Sequence, residues 1–445
     1  MNNKVAFISL GCAKNQIDTE NMLGILDKRG FKIVTSCEEA DIIIINTCGF
    51  IQPAKEESVE EILKQVAIKK RYGDKKIIVA GCLAQRYAKE LASEIPEADA
   101  IIGTEYYSKI DTIVRGCLQG KRYVCNDRLE WQANKVLPRI LTTPKPTAYL
   151  KIAEGCDNFC SYCAIPHIRG RYKSRTIDSL YREALSLVQM GTKELIIIAQ
   201  DISRFGYDMG NKNALIELLD KLSTIDELKW IRLLYCYPDR IDEELINAIG
   251  SNDKICHYID IPLQHINADI LQAMNRNTTP NDIKRVLDNI RDIVPDIVIR
   301  TSYIVGFPGE EEREFNDLLE FIYKYPIEHV GVFMYSQEEG TSAAQLDNQI
   351  DIEEKIRRRN LLMATQQKVS KKLNKRWIGS TQEILVEGQD SKDVYFGRFY
   401  GQAPEVDGKV YFFSNKKLSQ GEFVDVDIKK AYNYDLLGEY HELSK

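Results

Sequence analysis

Apolar residues in the first 125 positions alternate between strand and helix spacing. Residues 4–10 form a short apolar run that reads as a strand. Met22, Leu23 and Leu26 follow at helical spacing, and Lys28 and Arg29 ahead of Gly30 suit a helix C-terminus. Residues 41–46 enclose four consecutive isoleucines from Ile42, a branched run suited to a buried parallel strand. Val59, Ile62, Leu63 and Val66 mark one face of the next helix. Residues 75–80 read as a third strand, and another amphipathic helix follows Cys82. The alternation predicts a doubly wound parallel α/β domain over residues 1–125. Residues 126–147 lose the period, hold Pro138, Pro144 and Pro146, and read as a linker.

From residue 148 the pattern resumes with six strand candidates, at 149–153, 194–199, 230–235, 257–261, 298–305 and 329–335. Helical patterns separate them, for example 177–190 and 315–323. Right-handed βα repeats curl a sheet, so residues 148–376 are expected to form a partial, TIM-like (β/α)6 barrel with one open side. Residues 351–376 read as one long charged helix. After it the period drops to two: Val424, Val426 and Ile428 alternate with Asp425 and Asp427. With 383–387, 395–399, 409–413 and 436–440, this predicts a small antiparallel β-barrel over residues 377–445.

Composition narrows the class. A chain of 445 residues exceeds one compact core. It is 44% hydrophobic and 28% charged, as soluble globular proteins are. No run approaches the roughly 18 apolar residues of a membrane span, and Met1-Asn2-Asn3-Lys4 does not open a signal peptide. A cytoplasmic protein without a membrane partner is expected. The net charge of −6 weighs against clamping a long nucleic acid. Eleven cysteines in such a chain point to metal ligands, catalytic thiols or core residues rather than a disulfide framework.

Six of these cysteines form patterns. Cys156, Cys160 and Cys163 make a CxxxCxxC triplet directly after the first barrel strand, where such folds do chemistry. Three thiolates hold three irons of a cubane and leave the fourth open to a ligand. A structural zinc site, with His167 as fourth ligand, is the competing reading. Cys12, Cys48 and Cys82 each end a different apolar strand of the first domain. Strand ends of an open parallel sheet border one crevice, so three thiolates converge there and suit a second cluster. Gly11, Gly49 and Gly81 beside them admit a bulky ligand. Cys37, Cys117, Cys125, Cys236 and Cys256 lack a pattern and read as incidental.

The triplet, with Tyr162 before its last cysteine, resembles the signature of the radical S-adenosylmethionine superfamily. Both triplets with the terminal barrel resemble the methylthiotransferase family over nearly the whole chain. The resemblance includes Ser9-Leu-Gly-Cys12, Asn46-Thr-Cys48, residues 258–265, 300–310 and 335–341, and a terminal barrel similar to a TRAM domain. It implies two [4Fe–4S] clusters and two uses of S-adenosylmethionine. One molecule methylates sulfur at the Cys12, Cys48 and Cys82 cluster. The other is cleaved at the Cys156, Cys160 and Cys163 cluster to a 5′-deoxyadenosyl radical that abstracts hydrogen from the substrate. Gln200 and Asp201 at a strand end, Arg300 as a carboxylate partner, Tyr162 and Gly306 in Val305-Gly-Phe-Pro-Gly-Glu310 are candidate contacts to S-adenosylmethionine, with a structural ion pair an equal reading for Arg300.

Two branches of that family compete. The wording Asn46-Thr-Cys48-Gly49-Phe50-Ile51, Ala54-Lys-Glu-Glu-Ser58, Ala199-Gln-Asp201, Phe205-Gly206 and Gly401-Gln-Ala-Pro-Glu405 resembles the branch that modifies an aspartate of the twelfth small-subunit ribosomal protein. Ala13 and Arg240 depart from that wording. The other branch modifies an adenosine of transfer RNA. Residues 380–445 carry twelve acidic and eight basic side chains, a net of −4, which suits a basic protein partner. The resemblance further implies an electron donor such as flavodoxin or ferredoxin, a sulfur source and a monomeric enzyme. Arg357, Arg358 and Arg359 read as a solvated helix face, and His265 as structural. A zinc-containing RNA-interaction protein without catalysis is the alternative of another class.

Overall fold

The computed structural model describes residues 3–129 and 134–441. Contacts divide the chain into two compact units. One takes Met1–Thr142, Ala153–Ser179 and Ser336–Ala344; the other takes Thr143–Ile152, Leu180–Tyr335 and Gln345–Lys445.

In the first unit the described residues form a six-stranded parallel sheet. Its strands are β1 (Lys4–Ser9), β2 (Lys32–Val34), β3 (Ile42–Thr47), β4 (Lys76–Gly81), β5 (Ala100–Ile102) and β6 (Tyr123–Cys125), in the spatial order β2-β1-β3-β4-β5-β6. The reversal of order between β1 and β3 is the switch point of a doubly wound fold. Residues 75–80 thus supply the fourth strand, because the three-residue β2 carries too little pattern to be seen in sequence. β3 is buried along its whole length, as a central strand with both faces covered must be.

Helices α1 (Ala13–Lys28), α2 (Gln52–Tyr72), α3 (Cys82–Arg86), α4 (Ala88–Glu94) and α5 (Ile110–Leu118) connect the strands. The single helix expected after Cys82 is two short ones. On α2 the buried face is Ser58, Ile62, Gln65 and Val66, whereas Val59 and Leu63 are exposed. The apolar spacing therefore misassigned that face by part of a turn. α1 is buried on nearly all sides from Lys14 to Leu26. The expected linker explains this. The Pro138 carbonyl lies where a side chain at residue 24 would stand, Arg139 forms a buried ion pair with Glu20, and the Thr142 N–H donates to Glu20 at 2.9 Å. The described part of this stretch is a packed strap on α1; residues 130–133 lie outside the described residues.

In the second unit, β7 (Thr147–Lys151), β10 (Glu194–Ile198), β11 (Trp230–Leu233), β12 (Ile255–Asp260), β13 (Val298–Val305) and β14 (His329–Met334) pair in chain order, all parallel. The short pair β8 (Ala153–Glu154) and β9 (Lys173–Ser174) belongs to the first unit. The six-stranded sheet is an open, partial barrel edged by β7 and β14. The long helix Ile352–Asn374 covers the β14 edge, with Gln366 and Ser370 donating to the Ile327 and Glu328 carbonyls at 2.7 and 2.9 Å.

The C-terminal strands β15 (Thr381–Ser391), β16 (Val394–Arg398), β17 (Val410–Phe413), β18 (Phe423–Ala431) and β19 (Leu436–Tyr440) close a barrel in the order β15-β16-β17-β19-β18. It is mixed rather than purely antiparallel, since β17 and β19 pair parallel. Directions cannot alternate around a closed ring of five, so one parallel pair is obligatory.

Candidate active site

Three sheet neighbours carry the first cysteine triplet. Cys12 is the N-cap of α1, Cys48 follows β3, and Cys82 opens α3 directly after β4. Because β1, β3 and β4 are adjacent and parallel, these thiols share the C-terminal edge of the sheet at its switch point. A Cβ on Gly11, whose φ is +90°, would stand 2.8 Å from Cys48 Cβ and 3.1 Å from its Sγ. A Cβ on Gly49 would come within 2.8 Å of the Leu83 backbone. Only glycine lets these loops close on one another. Exposure falls along the triplet, from exposed Cys12 through half-buried Cys48 to buried Cys82. Burial pushes Cys82 up to about 12 and Cys48 upward, and the neighbouring Cys12 adds to both. Ligand thiols must ionise, so metal binding here releases protons. Among the described residues, no three His, Cys, Asp or Glu side chains close on one point as around a single ion. The donor set, three thiols rimmed by glycine backbone, fits a cluster held by thiolates.

The second triplet lies in the same unit. The Cys156 N–H donates to the Gly170 carbonyl at 3.1 Å and the Cys163 N–H to the Cys160 carbonyl at 3.0 Å. Within this loop Phe159 is exposed and held at φ +47°, with the Arg171 guanidinium 5.0 Å from its ring centre. Helix α6 (Ile165–Arg169) follows, and its Ile168 packs with Ala164 against Cys82. His167 on this helix is exposed. The segment 336–344 is pinned to the same unit. The Ala343 N–H donates to the Ser161 carbonyl at 2.8 Å, and the Glu338 side chain, 1% exposed, receives Lys55 at 2.8 Å and Arg86 at 2.7 Å. Arg86 also donates to the Gly49 carbonyl at 3.0 Å.

A buried polar network joins the two triplets. Arg169, its side chain 1% exposed, donates to both Glu154 carboxylate oxygens at 3.0 and 3.1 Å, to Asn15 Oδ1 at 2.8 Å, to Asp18 at 3.0 Å and toward Cys82 Sγ at 3.6 Å. Asn15 donates to the Leu10 and Thr47 carbonyls at 3.0 and 2.8 Å, tying the ends of β1 and β3. Asn46 donates to the Asn15 carbonyl at 2.8 Å. Sequence reading did not single out Arg169, Asn15 or Asp18. The available signal was Asn15 and Asp18 in the first two turns after Cys12, and a cation six residues after Cys163.

The other expected site residues have separate surroundings. Tyr162 is half-buried in the triplet loop, and Gln200 is half-buried past the end of β10. Asp201 is fully buried and accepts from Ser203 Oγ at 2.5 Å and Arg240 at 3.0 Å. The Gly306 N–H donates to Glu310 at 2.9 Å, and the Lys355 stem fills the space a side chain there would need. Arg300 is different. It sits near the start of β13, away from the strand's C-terminal end, and its guanidinium pairs with Asp407 at 2.8 Å. Of the two readings open for Arg300, a carboxylate partner of S-adenosylmethionine or a structural ion pair, the geometry matches the ion pair. Arg358 likewise leaves the expected solvated face: it is buried against Glu310 at 2.9 Å, while Arg357 is exposed and Arg359 half-buried. His265 is fully buried, and its Nδ1 accepts the Asn267 N–H at 3.0 Å. No disulfide joins the eleven cysteines, and no helix among the described residues is long and apolar enough to cross a membrane.

The chain matches the Uncharacterized protein family UPF0004 over residues 4–103, the Radical SAM superfamily over 150–322 and the TRAM domain over 378–440. The radical SAM match spans the CxxxCxxC triplet and implies a [4Fe–4S] cluster and S-adenosylmethionine. Over 436 residues the chain is 48% identical to the ribosomal protein uS12 methylthiotransferase RimO of Clostridioides difficile (strain 630), covering 98% of both chains. It is 49% identical to the protein of the same name from Thermoanaerobacter sp. (strain X514), covering 98% of this chain and 99% of that one. Solved structures share the fold. The radical S-adenosylmethionine methyltransferase TsrM from Kitasatospora setae, with cobalamin and a [4Fe–4S] cluster bound, is 13% identical with a TM-score of 0.56, covering 86% of this chain and 77% of that one. The cobalamin-dependent S-adenosylmethionine radical enzyme OxsB is 12% identical with a TM-score of 0.52, covering 80% and 56%. The full-length likeness at nearly half identity, over a chain whose two cysteine triplets share one compact unit, is decisive: this chain belongs to the RimO family of radical S-adenosylmethionine methylthiotransferases.

Proposed function

We propose that this protein attaches a methylthio group to the β-carbon of an aspartate in uS12, the twelfth protein of the small ribosomal subunit. The observation that carries this reading is the 48% identity over 98% of the chain to a relative named for uS12 methylthiotransfer. The convergence of Cys12, Cys48 and Cys82 on one sheet edge supports a second cluster beside the radical one. When bound, the two [4Fe–4S] clusters and S-adenosylmethionine would supply the one-electron chemistry and the sulfur that an unactivated C–H bond requires. The chain's own residues hold and orient. Cys156, Cys160 and Cys163 would ligate one cluster, and Cys12, Cys48 and Cys82 the other. Asn15 ties the ends of β1 and β3 so that Cys12 and Cys48 stay in register. Gly11 and Gly49 keep side chains out of the crevice. Tyr162, Gln200, Asp201 and Gly306 remain the proposed contacts to S-adenosylmethionine; Arg300, paired with Asp407, is not among them.

The reading extends to an electron donor of the flavodoxin or ferredoxin type, a sulfur source, a monomeric enzyme and a cytoplasmic setting. Three functional modules, 1–125, 148–376 and 377–445, divide the work. The test is mass spectrometry of uS12 and of transfer RNA from cells with and without the gene. A mass increment of about 46 Da on uS12, for SCH₃ replacing H, is expected to vanish in the deletion strain. Unchanged uS12 together with loss of methylthioadenosine from transfer RNA would overturn the substrate. Anaerobically purified protein should carry about eight irons per chain with matching sulfide; zinc with little iron would overturn the enzyme reading.

A further inference from the structure

We propose that Arg169 is a positioning residue that sets the charge at the Cys82 sulfur and holds the two cysteine triplets in a fixed relation. The inference rests on the proposed second cluster at Cys12, Cys48 and Cys82. Arg169 ends the short helix that follows Cys163, and its guanidinium reaches Asn15, Asp18 and Cys82 of the first triplet's surroundings. Its other nitrogen grips Glu154, two residues before Cys156, in a bidentate contact. One side chain thus closes the base of the second triplet's loop and touches the innermost thiol of the first.

The donor count makes the link to cluster charge. The Arg169 Nη2 carries two hydrogens but faces three acceptors: Asn15 Oδ1 at 2.8 Å, Asp18 Oδ2 at 3.0 Å and Cys82 Sγ at 3.6 Å. As a thiol, Cys82 itself donates to Asn15 Oδ1 at 3.6 Å, so the amide oxygen serves two donors. As a ligand, Cys82 has lost that hydrogen and can only accept, and Arg169 is the donor already beside it. Hydrogen bonds to cluster sulfurs and the net charge around a cluster set its reduction potential. Here the buried Arg169 guanidinium stands among the Asp18 and Glu154 carboxylates and the thiolate, with little water to screen them. Without the guanidinium, Asp18 and Glu154 leave the site more negative, and adding an electron becomes harder. Without the Asp18 charge, it becomes easier. The two changes must act with opposite signs, which a role in packing alone does not require.

The experiment uses the full chain carrying Cys156→Ala, Cys160→Ala and Cys163→Ala, reconstituted anaerobically with iron and sulfide, so that the first triplet alone holds a cluster. Arg169→Gln, Arg169→Lys and Asp18→Asn are added separately, and each protein is poised at controlled potentials and read by electron paramagnetic resonance. At the midpoint of the parent, Arg169→Gln should raise the oxidised-to-reduced ratio tenfold or more, a shift of about 59 mV for one electron. Asp18→Asn should lower that ratio, and Arg169→Lys, which keeps the charge, should move it less than Arg169→Gln. Shifts below twofold, or shifts of the same sign for Arg169→Gln and Asp18→Asn, overturn the proposal. If Arg169→Gln fails to take up iron, Asp18→Asn decides: an oxidised-to-reduced ratio that it does not lower by at least twofold overturns the proposal. If the parent takes up no iron, the second-cluster reading itself fails, and the inference falls with it.

Discussion

At the scale of single residues, the buried polar groups around the site show how much of this fold is held by directed contacts rather than by apolar area. Asn15 Nδ2 satisfies two carbonyls at once, those of Leu10 and Thr47. Replacing it by Ala leaves both without that donor and is expected to cost about 1–3 kcal/mol, read as a lowered urea midpoint. His265 offers a pH test. Its ring is fully buried, accepts at Nδ1 from Asn267, and lies 3.8 Å from Glu310, too far for a hydrogen bond. Burial, helped by Arg358, pushes it down to about 3, so it stays neutral in the fold. An unfolded chain takes up this proton below about pH 6.5 and the folded chain does not, so stability falls as pH falls through that range. The loss attributable to His265 should reach about 2 kcal/mol by pH 5. Urea unfolding of wild type and His265→Gln at pH 7.5 and pH 5 checks this; equal pH slopes would refute it.

At the scale of elements, the terminal barrel is joined to the parallel sheet of its unit by charge. Glu194, the first residue of β10, receives Arg232 at 2.7 Å and Arg398 at 2.5 Å, and all three side chains are essentially inaccessible. Asp407, also fully buried, receives Arg300 at 2.8 Å and Tyr258 at 2.7 Å. Asp407, two residues past the 401–405 wording that resembles the ribosomal-protein branch, is therefore a structural anchor. The arginines outweigh burial and pull Glu194 down to about 2. Its ion pairing is therefore fully present above the ordinary carboxylate pKa of about 4.5 and is lost as pH falls toward 2. Arg398→Met removes one partner of a buried carboxylate and is expected to cost about 3–5 kcal/mol, seen as a lowered midpoint of thermal or urea unfolding. An unchanged midpoint would mean that the barrel is held by its apolar contacts instead. The same contacts revise the acidic tally of the tail, since Asp407 and Glu387 face arginines rather than a partner.

At the scale of the whole molecule, both cysteine triplets lie in one compact unit, and the proposed division of labour between them can be tested directly. Triple Ala replacement of Cys156, Cys160 and Cys163 should abolish 5′-deoxyadenosine formation and lower iron to about four per chain. Triple Ala replacement of Cys12, Cys48 and Cys82 should abolish methylthio transfer to uS12 while leaving cleavage of S-adenosylmethionine measurable by chromatography. Undiminished product from either variant would contradict the division of labour.

The sequence by itself determined the order and type of the long elements, because their apolar residues repeat at the period of the structure they form. The isoleucines of β3, the alternation along β18 and the six βα repeats needed no partner to be read. It also determined the second triplet, since three cysteines within eight residues are a local fact. The tertiary structure alone decided what depends on residues far apart in the chain. It turned the proline-bearing stretch into a strap on α1, because the hydrogen bonds of Thr142 and the ion pair of Arg139 end on Glu20. It buried a largely polar face of the long helix, whose donors end on the backbone before β14. It assigned Arg300 to Asp407 and Arg169 to Cys82, pairings separated by 107 and 87 residues that no local period encodes. Apolar burial follows composition along each element. The partner of a buried charge is chosen only when the elements meet, because in a site with little water that choice must be made by geometry.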